Sequence, residues 1–303
     1  MKNIIVPPLK IQGIKTKLID FIRDNIQINN NITWIEPFLG SGSVAFNLAP
    51  KKALLSDSNP HIINLYKSIQ NNKLTPEEIA DHLKIEGNEL AQKGESHYYQ
   101  IRKRFNQDKN AKDFVFLNRC CFNGLIRFNK KGEFNVPFCK KNDRFRKALI
   151  TKIYNQFVAV RERILLSEWD FVCQSWEETL INTNSNSFTY LDPPYVGRHT
   201  DYYSSWDEKD AHKMISAIEK LKGGYALSMW FENRYRKNLY LQNFEKFASF
   251  RYFSHFYHLG GSEQNRNKMI EALVIHPDYV KQNLLKNDLN SLVDIEFNNH
   301  ISA

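Results

Sequence analysis

No stretch of this 303-residue sequence approaches the run of about 18 apolar residues that a membrane-spanning helix requires. Cysteine is scarce: Cys120, Cys121, Cys139 and Cys173 include one adjacent pair and no Cys-x-x-Cys, which excludes a zinc ribbon and a disulfide framework. Met1-Lys2-Asn3-Ile4 opens neither a long apolar segment nor a small-residue cleavage site, so no secretory leader is expected. With 12 glycines and 10 prolines the chain is not a low-complexity linker, and 42% hydrophobic with 25% charged residues is neither disordered nor collagen-like. The expectation is a reduced, cytoplasmic, soluble monomer with no membrane association, long enough for one large domain or two modest ones.

Acidic residues are the other shortage: 33 Asp and Glu stand against 42 Lys and Arg, a formal charge of +9. The excess is local. Residues 102–163 hold 17 Lys/Arg and 5 Asp/Glu, whereas the rest of the chain holds 25 and 28. An ordinary charge run is a solvated face. A segment this basic inside an otherwise acidic chain instead points to a polyanion, above all nucleic acid. Aromatic residues, 13% of the chain, supply material for packing and for stacking on bases.

Apolar residues Ile14, Leu18, Phe21, Ile22 and Ile26 recur at helical spacing and predict an amphipathic helix over 14–26. Thr33-Trp34-Ile35 and Ala53-Leu54-Leu55 read as buried strands around a Gly-containing turn and a helix from Ser43, which is a βαβ unit. Residues 76–117 are helical in pattern, 126–138 alternate around Asn129-Lys130-Lys131-Gly132 as a hairpin would, and a long helix is predicted over 144–166. Strand and helix then alternate: a strand at 188–191, a helix at 207–222, a strand at 225–230, a helix at 232–242, and strands at 247–256 and 269–275. Residues 278–303 are Asn-rich and weakly patterned. The pattern predicts an α/β domain built from residues 1–72 and 165–303, with a second, mainly helical domain of residues 73–164 inserted into it.

Two segments carry chemistry. Glu36-Pro37-Phe38-Leu39-Gly40-Ser41-Gly42-Ser43 follows a predicted strand and opens a helix, where glycines let the backbone turn tightly beside outward-pointing N–H groups. A lone Gly-x-Gly is more often a plain turn. Here Asp57 lies fifteen residues beyond Gly42 at the end of the next strand, where an acid can accept hydrogen bonds from both ribose hydroxyls of a nucleoside-bearing cofactor. The second segment, Asp192-Pro193-Pro194-Tyr195, ends another strand, the edge at which open α/β sheets bind ligands. Prolines fix the backbone and leave carbonyls free to accept. Asp192 and the Pro193 carbonyl can together grip both hydrogens of an exocyclic amino group, with Tyr195 stacked on the ring that carries it. No metal-ligand cluster stands out; His255 and His258, three apart in a predicted strand, would face opposite sides.

These two motifs, in this order, resemble the DNA adenine N6-methyltransferases of the Dam and type II restriction-modification family (D12 class, alpha-type motif order). The resemblance extends to Pro8–Lys15, to Ser56-Asp57-Ser58-Asn59 with Ile63–Tyr66, and to Leu117-Asn118-Arg119, Phe122–Leu125 and Gly132–Phe138, covering about residues 7–276. It implies a Rossmann-like methyltransferase core that binds S-adenosylmethionine, a helical target-recognition domain bearing a β-hairpin, and double-stranded DNA as substrate, with a cognate restriction endonuclease acting separately. Carried over by position, it implies Ile11 and Lys15 at the cofactor's edge, with Lys15 near the methionine carboxylate. Phe38, Gly40, Ser41 and Gly42 would shape the cofactor pocket, Asp57 would hold the ribose, Ser175 and Trp176 would flank the adenine, and Asp192 through Tyr195 would receive the flipped base. Arg119, Phe122, Asn123, Leu125, Arg127, Lys140 and Lys141 would contact or enter the DNA.

The sequence departs from the family at Ile11 and Ile14, which replace Trp and Gly, and at Cys139-Lys140, which replaces Gly-Arg. Lysine is a point charge where arginine is a planar fork, so GATC does not carry over as the target. Two rival readings stand beside adenine methylation: an amino-methylating enzyme acting on cytosine, RNA or protein, and a DNA-binding relative without catalysis. Asp192 before Pro-Pro and the basic insert argue against the first, and intact Asp57 and Asp192 against the second.

Overall fold

In the computed structural model the described residues are 4–194, 206–233, 236–258 and 266–282. A 3-10 turn over Lys15–Leu18 runs into α1 (Ile19–Asn25), so the expected first helix is divided in two. The βαβ unit follows as β1 (Thr33–Glu36), α2 (Ser43–Leu48) and β2 (Lys52–Asp57). Five helices come next: α3 (Pro60–Gln70), α4 (Pro76–Lys93), α5 (Glu95–Asp108), α6 (Ala111–Cys120) and α7 (Lys147–Leu165). The chain then returns to the sheet through β3 (Glu168–Cys173), α8 (Trp176–Ile181), β4 (Ser187–Leu191) and α9 (Glu208–Glu219). Last are β5 (Gly224–Asn233), β6 (Arg236–Lys237), β7 (Ser249–His258) and β8 (Arg266–Ile275).

The strands form one eight-stranded sheet in the order β3-β2-β1-β4-β5-β8-β7, with β6 paired to β5 alone. The first five are parallel, and β8 runs antiparallel to both β5 and β7. This is a doubly wound, Rossmann-like sheet, and its strand order reverses between β1 and β4, where such sheets bind ligands. Burial explains the composition of the central strands: Ser187–Leu191 is buried at every position, and Trp34 stacks on Phe188 and Tyr190 at 5.5 and 5.7 Å.

Helices α4 to α7 are not separately cored. One apolar cluster runs from Ile22 and Trp34 through Tyr66 and Phe171 into Leu83, Phe105, Phe116 and Phe157, while a second cluster lies under β5, β8 and α9. α4 is started by a capping box in which Thr75 and Glu78 satisfy each other's backbone N–H groups, with Pro76 in the first turn.

Three expectations need correction. The described residues of 232–242 do not form the expected helix: β5 continues to Asn233 because it pairs with β8 as far as Met269, and a 3-10 helix spans Leu239–Phe244. β3 and α8 were not anticipated as elements. The hairpin over 126–138 has no regular strands, only the isolated Phe128–Phe134 bridge, with a turn in which Asn129 Oδ1 accepts from the N–H groups of Lys131 and Glu133. Backbone hydrogen bonds from Asn129 N–H to the Glu133 carbonyl and from Asn135 N–H to the Arg127 carbonyl cross the hairpin. α5 also holds the returning arm: Asn106 makes both backbone hydrogen bonds of Phe134, and Tyr98 Oη donates to the Val136 carbonyl at 2.7 Å.

Candidate active site

A cavity of about 310 Å³ opens at the carboxyl ends of β1, β2 and β4. It is lined by residues from the N-terminal segment, the turn after β1, the end of β2, the start of α8 and the segment after β4, together with Leu125 and Ile126 from the turn after α6. The turn after β1 is tight because Gly42 has φ +72°, and a Cβ there would collide with the Phe46 ring, which excludes other residues. Gly42 shapes this turn from behind, whereas Phe38, Gly40 and Ser41 line the cavity. The Ser41 carbonyl accepts from the buried Tyr66 hydroxyl at 2.6 Å, which pins the loop to α3.

Among the charged groups of the described lining, carboxylates outnumber cations. Asp57 Oδ2 accepts from the Gly40 N–H and Oδ1 from the Asn59 N–H, both at 2.8 Å. Removal from water pushes its pKa up to about 6 in spite of these two bonds. Glu36, 2% exposed, accepts from Trp34 Nε1 at 2.9 Å, and burial, reinforced by Asp192 and Asp57, raises it to about 8. Among the described residues, Lys15 is the one Lys or Arg in the lining; it is 4% exposed, donates to the Gly13 carbonyl at 3.2 Å and places Nζ 2.8 Å from Asp192 Oδ1. Burial raises the Asp192 pKa, Lys15 opposes that rise, and Glu271 on β8 adds to it.

Aromatic rings form another wall. Phe38 and Trp206 meet edge to face at 5.7 Å, and Trp176 meets Trp206 at 6.2 Å. Trp206 lies just before α9, in no recognisable motif, and sequence reasoning missed it. Ser175 lines the cavity, but its hydroxyl is occupied as the N-cap of α8, accepting from the Glu178 N–H at 3.2 Å. Ile11 and Pro194 also line the cavity, whereas Pro193 stands back from it. Tyr195 lies outside the described residues.

The model of the D12 class N6 adenine-specific DNA methyltransferases matches residues 12–258, most of the chain. The chain belongs to this family. Among relatives, it is 34% identical over 223 residues to the type II methyltransferase M.MjaIII of Methanocaldococcus jannaschii, covering 68% of this chain and 75% of that one. It is 31% identical to the DNA adenine methylase of Serratia marcescens, covering 66% and 74% of the two chains. The retron Ec67 DNA adenine methylase of Escherichia coli is 32% identical, with coverage of 70% and 71%. The protein is therefore an adenine-specific DNA methyltransferase, and neither rival reading is favoured.

Three of the seven residues that the resemblance assigns to DNA, Phe122, Asn123 and Leu125, share the turn after α6. Phe122 is 51% exposed, and Asn123 beside it is exposed with φ +54°. Leu125 reaches the cavity wall. Arg127 is braced across the hairpin, donating from Nε to Asn135 Oδ1 at 2.8 Å and from Nη2 to the Asn135 carbonyl. Lys140, at φ +57°, and Lys141 are exposed. Arg119 does not share this surface. It is 9% exposed, donates to the Pro8 carbonyl at 3.1 Å and is pushed down to about 10 by burial and by Arg144, so it braces the N-terminal segment from inside.

Among the described residues, one cluster has metal-ligand spacing: His82, Glu86 and Asp113 in the helical layer. Its centre is filled by Arg104, which donates to both Asp113 oxygens at 2.6 and 2.7 Å and to Glu86 at 2.8 Å. A guanidinium already supplies the positive charge there. No described helix is long and apolar enough to cross a membrane.

Proposed function

We propose that the methyltransferase takes its methyl group from S-adenosylmethionine, held in the cavity between β1, β2 and β4, and transfers it to the exocyclic nitrogen of an adenine flipped out of duplex DNA. The observation that carries the reading is the composition of the cavity: among the described lining residues, the carboxylates Glu36, Asp57, Glu177, Asp192 and Asp210, one lysine and an aromatic wall. A ligand with a sulfonium, an ammonium, two ribose hydroxyls and a purine matches that set, and the volume is at the low end of small-molecule sites, about 300–1,000 Å³.

Asp57 is positioned for ribose hydroxyls, with its outer lone pairs free of the two backbone bonds it accepts. Phe38, Trp176 and Trp206 offer faces for a purine, and Glu36 a negative charge beside the cationic part. When bound, the cofactor supplies a methyl group already activated on a sulfonium, so the protein's task is to position and polarise the nucleophile.

Asp192 does the second part. An aromatic amino group is a poor nucleophile because its lone pair is delocalised into the ring. The Asp192 carboxylate, in the lining, accepts one of its hydrogens and helps localise the lone pair on nitrogen; the resemblance assigns the second hydrogen to the Pro193 carbonyl, which sits behind the lining. Lys15 holds that carboxylate in place and ionised. The target base has to leave the helix to enter the pocket, as bases do for other methyltransferases. Residues 73–164, with Phe122, Asn123, Arg127, Lys140 and Lys141 outermost, supply the charge and the wedge for that step. The names of two relatives, type II methyltransferases, support a role as the modification enzyme of a restriction-modification system; double-stranded DNA is the substrate of this reading.

The test is transfer of labelled methyl from S-adenosylmethionine to duplex DNA. Asp192→Ala should retain both ligands and lose transfer; retained transfer would remove Asp192 from the mechanism.

A further inference from the structure

Asn118 is fully buried, and every hydrogen-bonding group of its side chain is used. Oδ1 accepts from the Lys10 N–H and Nδ2 donates to the Lys10 carbonyl, both at 2.8 Å, so the amide pairs with the N-terminal segment as a neighbouring strand would. The second Nδ2 proton goes to the Gly124 carbonyl at 3.2 Å, in the middle of the exposed turn. Gly124, at φ +68°, packs so closely on Lys10 that a Cβ would run into the lysine side chain.

From this junction the chain reaches the cavity by two short routes. Five residues after Lys10, Lys15 meets Asp192. One and two residues after Gly124, Leu125 and Ile126 form the cavity wall. On the other side of Gly124, Phe122 and Asn123 face outward.

We propose that Asn118 is a positioning residue that clasps the N-terminal segment to the turn 122–125, so that DNA engagement at the turn and the posture of Lys15 beside Asp192 are set together. The inference rests on the reading of that turn as DNA-facing. A single amide satisfying both segments gives each arrangement of the turn one arrangement of Lys10, which is what coupling between two sites requires.

The experiment measures the affinity of S-adenosylhomocysteine with and without a saturating DNA duplex that carries the motif found by modified-base sequencing, in the wild type, Asn118→Leu and Gly124→Ala. Asn118→Leu removes the hydrogen bonds at similar volume, and Gly124→Ala wedges the junction from the other side without burying an unpaired group, so it decides if the first variant is poorly folded. The wild type should show mutual tightening of roughly tenfold. Both variants should lose most of the tightening, read within each variant as the ratio of its two affinities, whatever either affinity alone does. Tightening that survives in the variants, or is absent from the wild type, overturns the proposal. A wild type that binds no duplex refutes the DNA reading instead. In that case, amide exchange of the free protein judges the clasp: Asn118→Leu must loosen residues 8–15 and 122–126 together, and loosening of only one contradicts it.

Discussion

Lys15 Nζ and Asp192 Oδ1 lie 2.8 Å apart across the mouth of the cavity, the first from the N-terminal segment and the second from the end of β4. The pair joins segments 177 residues apart in sequence at the point where the strand order of the sheet reverses. Its consequence is electrostatic. Burial and the negative charge of Glu271 favour the protonated, non-accepting form of Asp192, and Lys15 opposes both.

Replacing Lys15 therefore has a signed effect on pH dependence. Without the ammonium the Asp192 pKa rises, so a larger fraction is protonated at a given pH. In Lys15→Met the acidic limb of the pH–rate profile should move to higher pH, with turnover at pH 7 falling on the order of 10²-fold. An unshifted limb with weakened cofactor affinity alone would assign Lys15 to the cofactor's carboxylate instead.

Glu36 should report cofactor binding by releasing a proton. With its pKa at about 8, it is largely neutral at pH 7 in the free protein. A cation bound beside it lowers that pKa and drives ionisation. Calorimetry in buffers of different ionisation enthalpy should detect net proton release near pH 7.5, and Glu36→Gln should abolish it. The same raised pKa means that the folded state binds more protons than the unfolded one between about pH 4.5 and 8, so Glu36 lowers stability as pH rises through that window. Glu36→Gln should flatten this fall and raise the melting temperature at pH 8.

Asp57→Ala should weaken cofactor binding by about 1.5–3 kcal/mol, roughly ten- to a hundredfold. Quenching of Trp176 and Trp206 fluorescence measures it directly, because both rings line the cavity. In the wild type, affinity should fall as pH drops through about 6, where Asp57 takes up a proton.

Arg119 and the pair Lys140 and Lys141 should separate cleanly. Lys140→Glu with Lys141→Glu should reduce DNA affinity and flatten its dependence on salt, as loss of phosphate contacts does. Arg119→Met should leave the salt slope unchanged and lower the melting temperature, since its guanidinium donates inward to the Pro8 carbonyl. A changed salt slope in Arg119→Met would return Arg119 to the DNA surface.

Legibility differed from segment to segment for physical reasons. The turn after β1 and the acid at the end of β2 were readable because positive φ demands glycine, and because a βαβ unit fixes where the acid falls. β3 was not, since Glu168–Cys173 is only six residues of alternation directly behind a long helix. Residues 232–242 misled because the pairing partner that holds β5 extended comes from β8, forty residues downstream. Trp206 escaped because an aromatic wall has no spacing signature and is assembled only when α8, the β1 turn and the start of α9 converge. Arg119 looked like a surface cation, since sequence does not reveal that residue 119 faces the Pro8 carbonyl and not solvent. Lys15 lines the cavity, where the resemblance puts it, with its ammonium against Asp192.

Sequencing of modified bases in DNA from a methylation-free host expressing this chain, with Asp192→Ala as control, tests the central claim most directly. The account predicts N6-methyladenine at one short motif in the wild type and none in the control. Unmodified adenines in the wild type, or the same methyladenine pattern in the control, would contradict it.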